Sequence, residues 1–490
     1  MSYPNLYEIN TRVWLRRFDT KINKAKLSDV SLSYWEKLSR FGIDYVWLMG
    51  IWEICESSIP KYCMGESSIA EYKSALNDFE TEDVIGSPFA INNYEINPIV
   101  GSKDDLLELR KNLNELNIKL ILDFIPNHFS AESHLIKSNP DLFIHAAKEQ
   151  FDNDKDSFFK DSFGRDIYFA HGRDPFFPAW TDTVQVNYMN EATVNFMSDK
   201  LVEISDLCDG VRCDMAMLIL NDVFNKTWGK FVLPKDDKSN DEFWKTAIEK
   251  VKQHSSNFIF IAEAYWDLER KLQQIGFDFT YDKKLSDQLI TGNVQLIRQH
   301  LKEDETYQNK SVRFIENHDE KRAVVSLGDE KSRAAAVLIS CLPGMRFFHD
   351  GQFEGRKIKL PVQLGREPVE DINLALYDFY KKLLNITQDK VFKEGKWEVI
   401  DPAAAGSDDS THENIMAIHW SLKSEKRLLV VNYSNEVSFC RIKLDVENYV
   451  DNIMLIDLLE DKKFNRLKSE IISQGLFIKL GSYQSHIFKY

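Results

Sequence analysis

The sequence predicts an α/β fold: a (β/α)8 TIM barrel with an insertion after its third strand and a C-terminal antiparallel β domain. Three observations carry this reading. Eight short runs, many rich in Ile, Val and Phe, recur along the 490 residues with helix-period segments between them, as buried parallel strands and their crossover helices should. Two connections, after the second and third runs, are far too long for simple crossovers. After about Glu394 the pattern changes to alternating segments, which read as antiparallel strands.

The runs, in order, are Tyr7–Leu15, Asp44–Trp52, Ile118–His128, Cys208–Leu218, Phe258–Trp266, Phe277–Asp282, Ser311–Asp319 and Gly344–Gln352. Lys103–Asn117 and Thr193–Leu207 are typical of the helical stretches between them. The long connections are Glu53–Asn93 and Phe129–Asn190, the latter carrying the turn-forming clusters N-P, D-N-D, H-G-R-D-P and F-F-P. Insertions after barrel strands belong on the catalytic face, because active sites are built from the βα-loops. Residues 1–128 and 191–394 are expected to form the barrel, residues 129–190 the inserted segment, and residues 395–490 a β-sandwich. In the tail, Ile415–Trp420, Arg427–Val431 and Leu476–Lys479 are the strand candidates.

Composition excludes several classes. The chain is 43% hydrophobic and 28% charged, as ordinary globular proteins are, and no apolar run is long enough to span a bilayer. A net charge of −15 repels phosphate backbones, so neither nucleic acid nor a membrane is an expected partner. The six cysteines are few for this length and are read as free thiols of a reducing compartment. The N-terminal stretch reads as the first strand and not as a signal peptide, so a cytoplasmic location is expected. Oligomeric state has no signature in the sequence.

Charged residues interrupt the apolar strands near their C-terminal ends. The third ends in Asp123, Asn127 and His128; the fourth carries Arg212 and Asp214; the fifth carries Glu263; the seventh ends in His318 and Asp319. A buried carboxylate is costly unless it is paired or functional, and in a barrel these strand ends converge. Arg212 and Asp214 are two apart and point the same way, so the arginine is expected to keep Asp214 ionised. Glu263 lies between Ala262 and Ala264 with Tyr265 and Trp266 beside it, a less polar setting that raises a carboxyl pKa. Two carboxylates of unlike pKa flanking one bond is what glycoside cleavage requires. Either alone reads equally well as a structural ion-pair residue; together they do not.

On these residues the chain resembles the α-amylase family of glycoside hydrolases and transglycosylases. D-F-I-P-N-H at Asp123–His128, G-V-R-C-D at Gly210–Asp214, I-A-E-A at Ile261–Ala264 and E-N-H-D at Glu316–Asp319 match its four motifs, in its order. The resemblance implies Asp214 as the nucleophile of a retaining reaction, Glu263 as acid/base and Asp319 as the third carboxylate. It implies Arg212, His128 and His318 as residues that hold the sugar, and Asp123 as support from behind. It places an aromatic platform near Phe89 or Tyr94, and gives Asn127 a position that binds calcium in many members; no other cofactor is implied. The expected partner is an α-linked oligo- or polysaccharide. Many starch-cleaving members have Ala, Lys and His at the positions held here by Met215, Met217 and Leu218. That departure favours short oligosaccharides, an unusual α-glucoside or a transferase over an ordinary endo-acting amylase. Lys321, just past E-N-H-D-E, has no part in this pattern. A non-catalytic sugar-binding protein on the same fold is disfavoured because all three carboxylates are kept, and a metal-dependent hydrolase using Asp123, His128, His318 and Asp319 because neither H-x-H nor H-E-x-x-H spacing occurs there and an arginine stands beside Asp214.

Overall fold

The computed structural model describes residues 3–232 and 242–490. Eight parallel strands close into a barrel in which each strand pairs with its neighbours in sequence and the last returns to the first. They are β1 (Asn5–Asn10), β2 (Tyr45–Met49), β3 (Lys119–Phe124), β4 (Gly210–Cys213), β5 (Ile259–Ala262), β6 (Phe279–Tyr281), β7 (Ser311–Arg313) and β8 (Met345–His349). Seven fall inside the runs read from the sequence and β1 overlaps its run, starting two residues earlier at Asn5; each strand is shorter than its run. The first differs most: β1 stops at Asn10 and Thr11–Trp14 turns helical. The cause is packing, since Trp14 stands against Phe18, Tyr34 and Trp35 with ring centroids 5.0–5.4 Å away, a cluster that an extended continuation would disperse.

The strands hide two apolar faces, as parallel barrel strands must. Leu6, Trp47, Met49, Ile121, Ile261, Val312 and Phe347 fill the interior. Val46, Leu48, Leu120 and Leu122 point outward under the helical ring. The helix Lys103–Glu115 shows how the ring is set. Ser102 accepts from the Asp105 N–H, and Asp105 accepts from the Ser102 N–H in return. Leu106, Leu109 and Leu113 then lie buried along one stripe.

The long connection after β2 holds an antiparallel pair, Trp52–Ile54 with Ile91–Ile96, and the helix Glu66–Ala75. The insertion after β3 holds a three-stranded sheet of His145–Ala146, Tyr168–Ala170 and Phe158–Lys160. His128–Ser130, just past β3, pairs with Thr183–Gln185 and ties the insertion to the barrel mouth.

Past the barrel, six antiparallel strands run in the order 396–400, 415–422, 425–432, 485–489, 452–457, 462–467, beside a pair formed by Ser438–Ile442 and Leu476–Leu480. Ile415, Ala417, Leu428 and Val430 pack with Cys440, Ile442, Ile478 and Leu480 in a second core. Trp420 joins this domain to the barrel, donating from Nε1 to the Cys341 carbonyl at 2.9 Å. All six cysteines are free and buried. Among the described residues, no helix is long and apolar enough to cross a membrane.

Candidate active site

Register places the charged residues side by side. Arg212 of β4 is level with Asp123 of β3 and with Ile261 of β5. Cys213 is level with Ala262, so Asp214 and Glu263 emerge together at the C-terminal mouth. The backbone holds them there: Asp214 N–H donates to the Phe124 carbonyl at 2.8 Å, and Glu263 N–H to the Cys213 carbonyl at 3.0 Å.

Arg212 is fully buried at the centre. Its Nη1 donates to Asp214 Oδ1 at 2.7 Å, and its Nη2 lies 2.8 Å from Glu263 Oε2. Asp123 Oδ1 is 3.6 Å away, and Asp123 Oδ2 accepts from the Gly50 N–H. Trp47, Phe89 and Tyr281 present their rings to the guanidinium, with centroids 4.9, 5.4 and 5.8 Å from Cζ. Such faces attract a cation while excluding water, which strengthens its hold on the carboxylates.

Glu263 is held by three donors. Besides Arg212, Oε2 accepts from the Met215 N–H at 2.7 Å and Oε1 from the Tyr265 hydroxyl at 2.8 Å. Met215 has a left-handed backbone with φ 42°, an uncommon state for a non-glycine residue that aims its N–H at the carboxylate. Met217 and Leu218, at the positions where many starch-cleaving members have Lys and His, are buried in packing and leave no charge there.

Burial raises the pKa of both carboxyls despite Arg212. For Glu263, Asp214 and Asp319 raise it further. This corrects the sequence reading that Arg212 would hold Asp214 low. The arginine is shared between the two, and desolvation outweighs its attraction. Burial pushes Asp123 up to about 7 in the same way.

Asp319 differs, with half its side chain exposed (52%). Desolvation opposes ionisation, but His318, Arg212 and Lys359 hold its carboxyl well below the usual range. His318 lies 3.0 Å from Asp319 Oδ2 through Nε2 and 2.5 Å from Glu8 Oε1 through Nδ1. Burial would strip its proton, yet the two carboxylates raise its pKa well above the ordinary value, so it stays cationic. Glu8, fully buried on β1, also has His349 3.9 Å away.

The remaining sequence candidates divide. Phe89 stacks on His318 at 5.3 Å and faces Arg212, so it stands in the cluster. Tyr94 is turned behind β3, where its hydroxyl donates to the Ile125 carbonyl and accepts the Ile125 N–H. His128 tilts against Trp180 of the insertion at 5.3 Å, and burial lowers its pKa to about 4, so it is neutral. Asn127 Oδ1 accepts from Gln185 Nε2 at 3.0 Å. Among the described residues no carboxylate bonds or pairs with either side chain, so this surrounding does not fit a calcium ion, which takes 6–8 oxygen ligands, carboxylates among them.

Sequence reasoning missed Glu8, Trp47 and Tyr281, and it read Tyr265 only as an apolar neighbour of Glu263, not as the hydroxyl donor that it is. Glu8 had a visible signal, a carboxylate within the apolar run L-Y-E-I. Trp47 and Tyr281 had none, because an inward Trp or Tyr on a strand reads as core.

An arginine-clamped carboxylate cluster stands at the C-terminal mouth of a closed parallel barrel, and the family and relatives that the chain matches make it an enzyme acting on O-glycosyl bonds. The catalytic-domain model of the alpha-amylase family matches residues 38–358, well over half of the chain, and the chain belongs to that family. It is 23% identical over 452 residues to "Alpha-amylase 3" of Dictyoglomus thermophilum, covering 81% of each chain. Among solved structures, a noncanonic maltogenic alpha-amylase of Thermotoga neapolitana superposes with a TM-score of 0.70 at 20% identity, covering 99% of this chain and 98% of that one. An alpha-amylase from H. orenii superposes with a TM-score of 0.68 at 18% identity, covering 100% and 99%.

Proposed function

We propose that this glycosidase is a retaining hydrolase of α-glucosidic bonds in α-glucans or malto-oligosaccharides, working through a covalent glycosyl-enzyme on Asp214 with Glu263 as acid/base. The observation that carries the reading is the shared clamp. Two carboxylates bonded to the two terminal nitrogens of one guanidinium stand side by side at the barrel mouth, an arrangement that suits one carboxyl as nucleophile and the other as acid/base across the same bond. Glu263 has the environment of the proton donor: burial and two neighbouring carboxylates raise its pKa, while Tyr265 and the Met215 N–H fix its orientation. Asp214 attacks the anomeric carbon as Glu263 protonates the leaving oxygen. Glu263 then takes the proton from the water that releases the sugar. Half-exposed Asp319, with buried cationic His318 against it, would bind sugar hydroxyls, with Phe89 as the flat apolar wall. The substrate class is the α-glucan that the family's amylases share.

Transfer to a sugar uses the same intermediate, and one feature favours it as a second reading. Phe176 of the insertion and Trp266, three residues past Glu263, meet edge to face at 4.9 Å and remain exposed at 58% and 36%. They form a platform on which an acceptor sugar would stack. Incubation with maltoheptaose and chromatography of the products tests both readings. Shorter oligosaccharides or glucose alone support hydrolysis, and products longer than the substrate support transfer. If no α-glucoside is cleaved, neither reading stands.

A further inference from the structure

A cleft of about 640 Å³ opens beside Asp319 and His318 and is walled by Lys321, Lys357 and Lys359. The lysines come from two loops, those after β7 and β8, and are exposed. Among the described residues none of the three forms an ion pair with a carboxylate. Lys359 Nζ donates only to the backbone carbonyl of Asp319. Glu71 on the facing helix Glu66–Ala75 is the one other acidic residue in the wall. Lys359 and His318 both act on the Asp319 carboxylate, yet in the lining the three lysines and His318 outnumber Asp319 and Glu71, which leaves an excess of positive charge.

This excess is out of keeping with a chain of net charge −15. Like charges gathered from separate loops repel unless an anion lies between them. The segment bearing two of them is also held in place. Glu370 Oε2 accepts the Lys357 and Ile358 N–H groups at 2.7 and 3.3 Å, and Arg322 Nε donates to the Ile358 carbonyl. The lysines therefore stand on a fixed support next to the groups that grip the sugar. A neutral glucan offers three ammonium groups only hydroxyl oxygens and no opposite charge; a phosphomonoester offers charge as well, and lysine binds phosphate as a point charge.

The geometry points to an anionic substrate: an α-glucoside whose glycon, or the unit beyond it, carries a phosphate seated between Lys321, Lys357 and Lys359. This rests on the glycosidase reading above and narrows its substrate class. The phosphate has two sources, a phosphorylated disaccharide or a phosphorylated glucan.

The experiment measures kcat/KM for maltose against maltose phosphorylated on its non-reducing glucose. The same is done for a maltodextrin before and after removal of its phosphate esters. The wild type is expected to prefer the phosphorylated member of a pair by about tenfold or more, with the preference shrinking as salt screens the charges. In K321Q/K357Q the ratio is expected to fall towards one. A preference in the disaccharide pair identifies the small sugar as the source, and one confined to the maltodextrin pair identifies the glucan. If neutral substrates are cleaved without any preference for phosphate, or if the double substitution leaves the preference intact, the inference is overturned while the glycosidase reading stands. If no substrate is cleaved, both fall.

Discussion

Asp214 and Glu263, just past the ends of adjacent strands, are bound by opposite nitrogens of one guanidinium, at 2.7 and 2.8 Å. One buried cation therefore compensates two buried carboxylates, while a third, Asp123, lies 3.6 Å away. Both carboxyls shift upward together, so their roles cannot arise from unlike attraction to Arg212. The difference lies in the rest of the surroundings: Glu263 has Tyr265 and the Met215 N–H as further donors.

Separate roles predict separate failures. Asp214→Asn is expected to lose nearly all activity on every substrate, because an amide cannot form the covalent intermediate. Glu263→Gln is expected to lose about 10²–10⁴-fold on natural glycosides but to keep most of the first step on a nitrophenyl glycoside, whose leaving group needs no proton. Steady-state and burst kinetics on both substrate types check this. Equal losses throughout would contradict the assignment.

The clamp itself is testable through stability. Arg212→Met leaves buried carboxylates without their cation and is expected to cost about 3–5 kcal/mol at neutral pH in denaturant unfolding. The cost is expected to shrink as pH falls and the carboxyls protonate. Arg212→Lys keeps the charge without the fork and is expected to fall between, retaining stability better than activity.

Asp319 and Glu8 together hold the charge of His318. The folded pKa of His318 is raised above its unfolded value of about 6.5. Its stabilising contribution is therefore fully present below pH 6.5 and is lost as pH rises through the folded value. Glu8→Gln removes one of the two carboxylates that hold the proton. Melting temperature and kcat/KM, followed from pH 6 to 10, are expected to decline at a lower pH in this variant than in the wild type. An unchanged alkaline limb would show that Glu8 does not act through His318.

The exposed aromatic pair predicts a change in partition. Trp266→Ala is expected to lower the share of transfer products at high sugar concentration several-fold, with hydrolysis of a nitrophenyl glucoside reduced much less. Product ratios by chromatography decide it; an unaltered ratio would remove the pair from acceptor binding.

The barrel was legible because each strand is an apolar run bounded by turns, and Arg212, Asp214 and Glu263 stood out because charge inside such a run is expensive. Their mutual geometry was not legible. The sharing of Arg212 depends on a register that pairs Cys213 with Ala262, which no local pattern encodes. Phe89 and Tyr94 were indistinguishable because nothing in the local pattern showed that Phe89 sits in a bend while Tyr94 lies in the strand Ile91–Ile96, so the direction of neither side chain was fixed. The end of β1 was misplaced because the contacts that turn Thr11–Trp14 helical come from Tyr34 and Trp35, some twenty residues away.

The most direct test of the account is to trap the intermediate. The protein is treated with a fluorinated glucosyl fluoride that forms the glycosyl-enzyme quickly and hydrolyses slowly, digested, and mapped by mass spectrometry. The account predicts one added glycosyl unit on the peptide containing Asp214, absent in Asp214→Asn. An adduct on another residue, or inversion of the anomeric centre in the product of an α-glucoside, would contradict it.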